Sequence, residues 1–173
     1  MILFFRGKAA TGKSSLANLI QQKVGYDIIS KDSIFDELLI QGLDWDNANS
    51  ITYNELANKI QNFHDSNNNV IVDIGLSHTP SFVHFLSKMN LNKNNIKQFL
   101  FVCSEDDLWE ARILKRINSP EGPNQSMKSV EEAKNHYGKY TIEKLQEESE
   151  VDSALSLTVM FKEIKSNAPD YFK

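Results

Sequence analysis

Four largely apolar runs punctuate the chain, at 1–5, 26–29, 70–74 and 96–103, with a weaker one at 154–159. Runs of this length without polar alternation suit parallel strands covered on both faces. The segments between them carry helical spacing, at 14–23, 33–40, 52–64, about 80–89, 106–117 and 130–148, with a short terminal stretch at 161–166. Start signals support several of these. Thr52 and Glu55 form a capping box, Ser104 precedes the helix at 106, and Ser129 with Glu132 forms a second box. Strands alternating with helices predict an α/β fold with a parallel sheet, right-handed crossovers and helices on both faces. The polar stretches 62–69 and 90–95 read as plain turns before strands. The stretch 117–128, INSPEGPNQSMK, differs: with two prolines and a glycine between two helices, it predicts a lid. The pattern shows no repeat and no linker, so residues 1–173 read as one domain.

Composition narrows the setting. The net charge is -4, so no global attraction draws nucleic acid or an anionic membrane to the chain. The single cysteine, Cys103, forms no internal disulfide, lies in an apolar run and reads as a small buried hydrophobe. No apolar stretch reaches the roughly 20 residues of a membrane span. The run 1–5 is too short for a signal-peptide core, so the expected location is cytoplasmic.

The chemistry begins at Gly7. The octet Gly7, Lys8, Ala9, Ala10, Thr11, Gly12, Lys13, Ser14 matches G-x-x-x-x-G-K-[ST] and sits between an apolar run and a helix. The glycines let the backbone curl until successive N–H groups face one phosphate, and the positive end of the following helix points there too. Lys13 would reach the β- and γ-phosphates, and the Ser14 hydroxyl would take a site on Mg²⁺. Ser15 completes the candidate nucleotide-binding set. A chance match is the bland alternative, and a relative that binds nucleotide without catalysis the more serious one.

Other features choose among phosphate-loop proteins. A guanine-reading N-K-x-D is absent: the nearest segment, at Asn92, lacks the Asp and precedes a strand. Ring-forming ATPases are usually larger and carry further modules. A small kinase remains, with ATP and Mg²⁺ as its expected cofactors. Asp32 lies just past the second strand, where a carboxylate can accept the proton of an attacking hydroxyl, or else cap the next helix. Asp36, one turn on, would touch substrate or water. Asp73 ends the run V-I-V-D, placed to hold a water on Mg²⁺ or to cap a turn. His78 and Thr79 lie at the same crevice as candidate substrate contacts. Arg112, Lys115 and Arg116 share a helix face without an acid three or four residues away on that helix. A bound polyphosphate would relieve their repulsion, and loop closure would bring Arg116 onto it; a solvated basic face is the plain alternative.

Phosphate loop, Asp past the second strand, h-h-h-D, then R-x-x-x-R entering a lid: this order resembles the polynucleotide-kinase-like small kinases, which include chloramphenicol phosphotransferases and zeta-toxin-like kinases. The resemblance covers the chain to about residue 140. It implies a three-layer P-loop fold with a five-stranded sheet in the order 2-3-1-4-5, Asp32 as base, and Arg112 and Arg116 as lid arginines on the ATP phosphates. Two departures matter, the first for the acceptor and the second for the phosphates. Phe35 stands where polynucleotide and shikimate kinases usually have an Arg, and Lys8 is unusual inside the loop. With the acidic balance, Phe35 argues against a polynucleotide or monophosphate and for a small, neutral or modestly polar hydroxyl acceptor, whether a small molecule or nucleotide-like. Trp45, Tyr53 and Phe63 are expected around it. A nucleotide-gated regulatory protein and a nucleoside monophosphate kinase remain the competing readings.

Overall fold

A computed structural model describes residues 1–172. Its elements, in chain order, are β1 (Ile2–Gly7), α1 (Lys13–Val24), β2 (Asp27–Ser30), α2 (Lys31–Ile40), α3 (Trp45–Asp65), β3 (Val70–Asp73), α4 (Thr79–Leu86), β4 (Ile96–Val102), α5 (Asp106–Asn118), α6 (Val130–Gly138), β5 (Glu148–Asp152) and α7 (Leu157–Asn167). The five strands form one sheet in the order β2-β3-β1-β4-β5, parallel at every pairing.

The apolar runs become strands because both faces of the sheet are covered. Ile2, Phe4, Val70 and Val72 face one layer, with Leu56, Ile60 and Phe82 from α3 and α4. Leu3, Phe5, Ile71, Phe99 and Phe101 face the other, with Leu16 and Ile20 of α1 and Met160 and Ile164 of α7. Each such aliphatic or aromatic side chain contributes about 1.5–3 kcal/mol on burial. A third, smaller cluster joins Trp109 and Ile113 of α5 to Ala133 of α6, with Ala9 and Ala10 against it.

The register gathers the chemistry at one edge. Ser30 pairs with Asp73 and Asp73 with Phe5, so three strands end in line and deliver the residues after them to a common crevice.

Several boundaries differ from the sequence pattern. The fifth strand is Glu148–Asp152, and the apolar run at 154–159 instead leads into α7. Its sequence ESEVD escapes an apolar reading because β5 is an edge strand, and Glu148 is buried for a polar reason described below. The helix expected over 130–148 stops at Gly138. α3 starts at Trp45, where the Asp44 side chain accepts a hydrogen bond from the Asn47 N–H. Thr52 lies inside that helix, its hydroxyl donating to the Ala48 carbonyl. Ser104 does not cap α5; its hydroxyl donates to Asp152, tying the end of β4 to the end of β5. Cys103 is half-buried rather than part of the core, its thiol donating to the Glu105 carbonyl.

Candidate active site

The phosphate loop runs from the end of β1 into α1. Gly7 has φ 140°, outside the range an L side chain adopts easily, and it pairs with Phe101. A methyl group there would also collide with the Phe101 carbonyl oxygen. Gly12, at φ 76°, is the N-cap of α1, and no side chain caps the helix. The first N–H groups of α1 are therefore left for an anion, with the helix dipole behind them. Thr11 braces the loop by donating to the Lys8 carbonyl at 2.8 Å.

Lys13 is buried, and its ammonium donates to the carbonyls of Lys8, at 2.7 Å, and Gly7, at 3.2 Å. Burial pushes its pKa down; Asp73 and Asp32 oppose that, while Arg116 and Lys31 reinforce it. These charges are therefore neighbours around one centre. Ser14 donates to Asp73 Oδ2 at 2.5 Å. Burial pushes the Asp73 carboxyl up, against the pull of Lys13 and the Ser14 hydroxyl. Ser14 and Asp73 supply a hydroxyl and a carboxylate side by side at the head of α1. This hard-oxygen pair suits Mg²⁺, which keeps several waters and phosphate oxygens as its remaining ligands.

A cleft of about 970 Å³ opens beside the loop. Lys13, Ser14, Asp73, Arg116 and Asp32 all line it, together with Phe35, Trp45, Asn49, Tyr53 and His78. Asp32 sits in the first turn of α2, half-exposed, with the Lys31 ammonium 2.9 Å from Oδ1. The cap of α2 is Ser30, whose hydroxyl oxygen accepts from the Ser33 N–H, so Asp32 is not needed for that task. Lys31 also lies 4.9 Å from the centre of the Phe35 ring. Phe35 is buried and meets Trp45 edge-on, with centroids 4.7 Å apart. Burial pushes Tyr53 up to about 12, with the charge of Asp32 adding to it.

The structure separates residues that the sequence groups together. Arg116 lines the cleft, whereas the Arg112 guanidinium donates to the carbonyl and hydroxyl of Ser153. Lys8 turns its ammonium away over the Trp109 ring, at 5.4 Å, and only its carbonyl meets the Lys13 head. Ser15 is exposed on α1. Phe63 packs against the core and takes no part in the cleft. His78 lines it, its Nδ1 2.8 Å from Ser81 Oγ, while Thr79 is buried and acts as scaffold.

Arg6 escapes the sequence reading altogether, and Asp36, expected to touch substrate or water, has another role. Arg6, fully buried on β1, uses all five of its donors: two on the Glu148 carboxylate at 2.5 and 2.6 Å, and one each on the Glu143 carbonyl, the Ser77 carbonyl and the Thr79 hydroxyl. It fixes the crevice loop after β3 and the segment between α6 and β5 to the sheet. Asp36 does not face the acceptor end; it fastens the loop after α5. Its two oxygens accept from the N–H and the side-chain amide of Asn124, at 2.7 and 2.6 Å. Asp36→Ala leaves both donors without that acceptor. A hydrogen bond to a charged group contributes about 1.5–3 kcal/mol. Discounted for partial exposure, its loss should raise opening of residues 119–129 about tenfold, read as faster proteolytic nicking with an unchanged melting temperature.

Sheet order, phosphate loop and cleft together define a P-loop fold of the small-kinase type. Residues 2–139 match the AAA domain family, and the chain belongs to that family. Solved structures with this fold include a sugar kinase from Janibacter sp., at TM-score 0.69 and 12% identity, covering 99% of this chain and 98% of that one. A gluconokinase from Sinorhizobium meliloti aligns at TM-score 0.67 and 14% identity, covering 98% and 92%. A shikimate kinase from Bacteroides thetaiotaomicron aligns at TM-score 0.65 and 16% identity, covering 96% and 97%. At such identities the likeness is one of fold. No curated protein matches the sequence.

Proposed function

We propose that this protein is a Mg²⁺-dependent kinase that moves the γ-phosphoryl group of ATP onto a hydroxyl of a small, neutral acceptor. The observation that carries the reading is that Asp32 lines the same cleft as the Lys13 head and the Ser14–Asp73 pair, near enough for its charge to act on both Lys13 and Asp73. In this reading the N–H groups around Gly12 hold the phosphates. Lys13 exchanges its contacts with the Gly7 and Lys8 carbonyls for phosphate oxygens. Arg116 meets charge that develops on the transferring group. Bound Mg²⁺ would be held through Ser14 and Asp73 and would neutralise phosphate charge. Asp32, oriented by Lys31, takes the proton as the acceptor oxygen attacks the γ-phosphorus and the bond to the ADP oxygen breaks.

The acceptor end supports a neutral ligand. The cleft lining includes the aromatic rings of Phe35, Trp45 and Tyr53 and the hydrogen-bonding groups of Asn49, His78 and Ser81, and the nearby Lys31 is engaged by Asp32. Proteins of similar fold include a sugar kinase, a gluconokinase, a shikimate kinase and a deoxyadenosine kinase, in keeping with a small hydroxylated acceptor. Within the small kinases, the motif order supports a place beside the polynucleotide kinase, chloramphenicol phosphotransferase and zeta-toxin-like group, with a cytoplasmic enzyme as the corollary.

The test is an ADP-release screen with Mg²⁺ and ATP against sugars, polyols, nucleosides and hydroxylated acids. At least one neutral hydroxyl compound should be turned over, and Lys13→Ala should abolish that turnover. Saturable ATP uptake with no turnover on any acceptor would instead make the chain a nucleotide-gated binding protein.

A further inference from the structure

α6 packs against the phosphate loop. Ala9 donates its N–H to the Tyr137 hydroxyl at 2.8 Å, while the Trp109 indole donates to the Ala9 carbonyl at 2.9 Å. This residue of the loop is thus gripped on both sides, by α5 and by α6. The Tyr137 ring is held edge-on against Trp109, with centroids 6.1 Å apart, and against His136 at 4.9 Å.

Where Ala9 lies along the cradle follows from Lys13. That ammonium rests on the Gly7 and Lys8 carbonyls, two residues and one residue before Ala9, and in a phosphate loop this lysine serves the β- and γ-phosphates. The Ala9 amide is therefore at the terminal-phosphate end. Tyr137 lines the cleft there and feels the charges of Arg116 and Asp32. Having accepted from Ala9, the phenol oxygen keeps its own proton to donate. Burial raises the Tyr137 pKa, so that proton stays in place at neutral pH.

We propose that Tyr137 reads the terminal phosphate of ATP: its hydroxyl relays the Ala9 N–H and donates its own hydrogen to a γ-phosphoryl oxygen. A chain of two hydrogen bonds ending on an anion polarises along its length, which strengthens each member. ADP has no group at that position, so the contact separates triphosphate from diphosphate. The inference rests on the kinase reading and adds to it a phosphate contact from α6, outside the G-x-x-x-x-G-K-[ST] loop.

The experiment is calorimetric titration of the full chain, with Mg²⁺, by ADP and by the non-hydrolysable analogue AMP-PNP. Tyr137→Phe keeps the ring and its contacts and removes only the hydroxyl. AMP-PNP should bind about tenfold more weakly, the loss expected for one hydrogen bond to a charged group. ADP affinity should stay within about twofold by the same reasoning, since its interactions are untouched. Equal weakening of both ligands, or of neither, overturns the proposal while leaving the kinase reading standing. Absence of nucleotide uptake by the native chain overturns both. If Tyr137→Phe does not fold, 3-fluorotyrosine placed at position 137 serves instead. Its fluorine resonance should shift with AMP-PNP and not with ADP, and an identical response to the two overturns the assignment.

Discussion

Asp32→Asn should lower acceptor turnover by about 10²–10⁴-fold, the usual contribution of a positioned general base. ATP affinity should change little, because no phosphate-loop atom is altered. The variant isolates chemistry from folding better than the position of Asp32 in the sequence suggests. A carboxylate at the start of a helix would ordinarily be confounded with a cap, but Ser30 holds that role. Structurally, the amide variant loses one favourable charge in the first turn, about 0.3–1 kcal/mol. It also loses the ion pair with Lys31, which is partly open to water. Steady-state kinetics alongside a denaturation curve reads both quantities. Full turnover in the variant would remove Asp32 from the mechanism, whatever the acceptor.

The second large effect is on stability. Arg6→Met should cost about 3–5 kcal/mol, because it leaves the Glu148 carboxylate inside the protein without its counter-charge. The side chains of Arg6 and Glu148 are fully buried, with the guanidinium 5.0 Å from the centre of the Phe82 ring of α4. The double variant Arg6→Met with Glu148→Leu should recover much of the loss, since an apolar pair of similar volume avoids the desolvation cost of both ions. Urea denaturation of the native chain, both single variants and the double variant measures the coupling. An Arg6→Met protein as stable as the native chain would show that water reaches Glu148. Recovery in the double variant is not expected to be complete. Arg6 also holds the Ser77 and Glu143 carbonyls, and these lose donors in either case.

The legibility of this molecule in its sequence follows the physical character of each part. The central strands are plain because Leu3, Phe4, Ile71, Val72, Phe99 and Leu100 are apolar on both faces, and no other element needs so short a run. The loop from Gly7 to Ser14 is plain because backbone curvature and phosphate chemistry constrain its spacing together. β5 is not, since in ESEVD only Val151 joins the apolar core, while Glu148 is buried by an ion pair with a residue 142 positions away that no local window contains. The reach of α6 is overestimated because charged residues continue past Gly138 with helical spacing. The same blindness applies within the site. Arg112 and Arg116 look equivalent on a helical wheel, yet Ser153 claims one of them and the cleft receives the other. Tyr137 gives no signal at all: its meaning comes from Ala9, 128 residues earlier.

The Arg6–Glu148 pair also bears on how the chain matures. A polypeptide leaves the ribosome from its N-terminus, and early segments generally begin to fold before later ones appear. Here the first strand carries a guanidinium whose counter-ion is synthesised 142 positions later. A nascent segment ending where the family match ends, at residue 139, has every strand of the sheet but the last and still lacks that neutralising carboxylate. The Arg6 guanidinium therefore gains its counter-ion only once β5 has emerged, late in the synthesis of the domain.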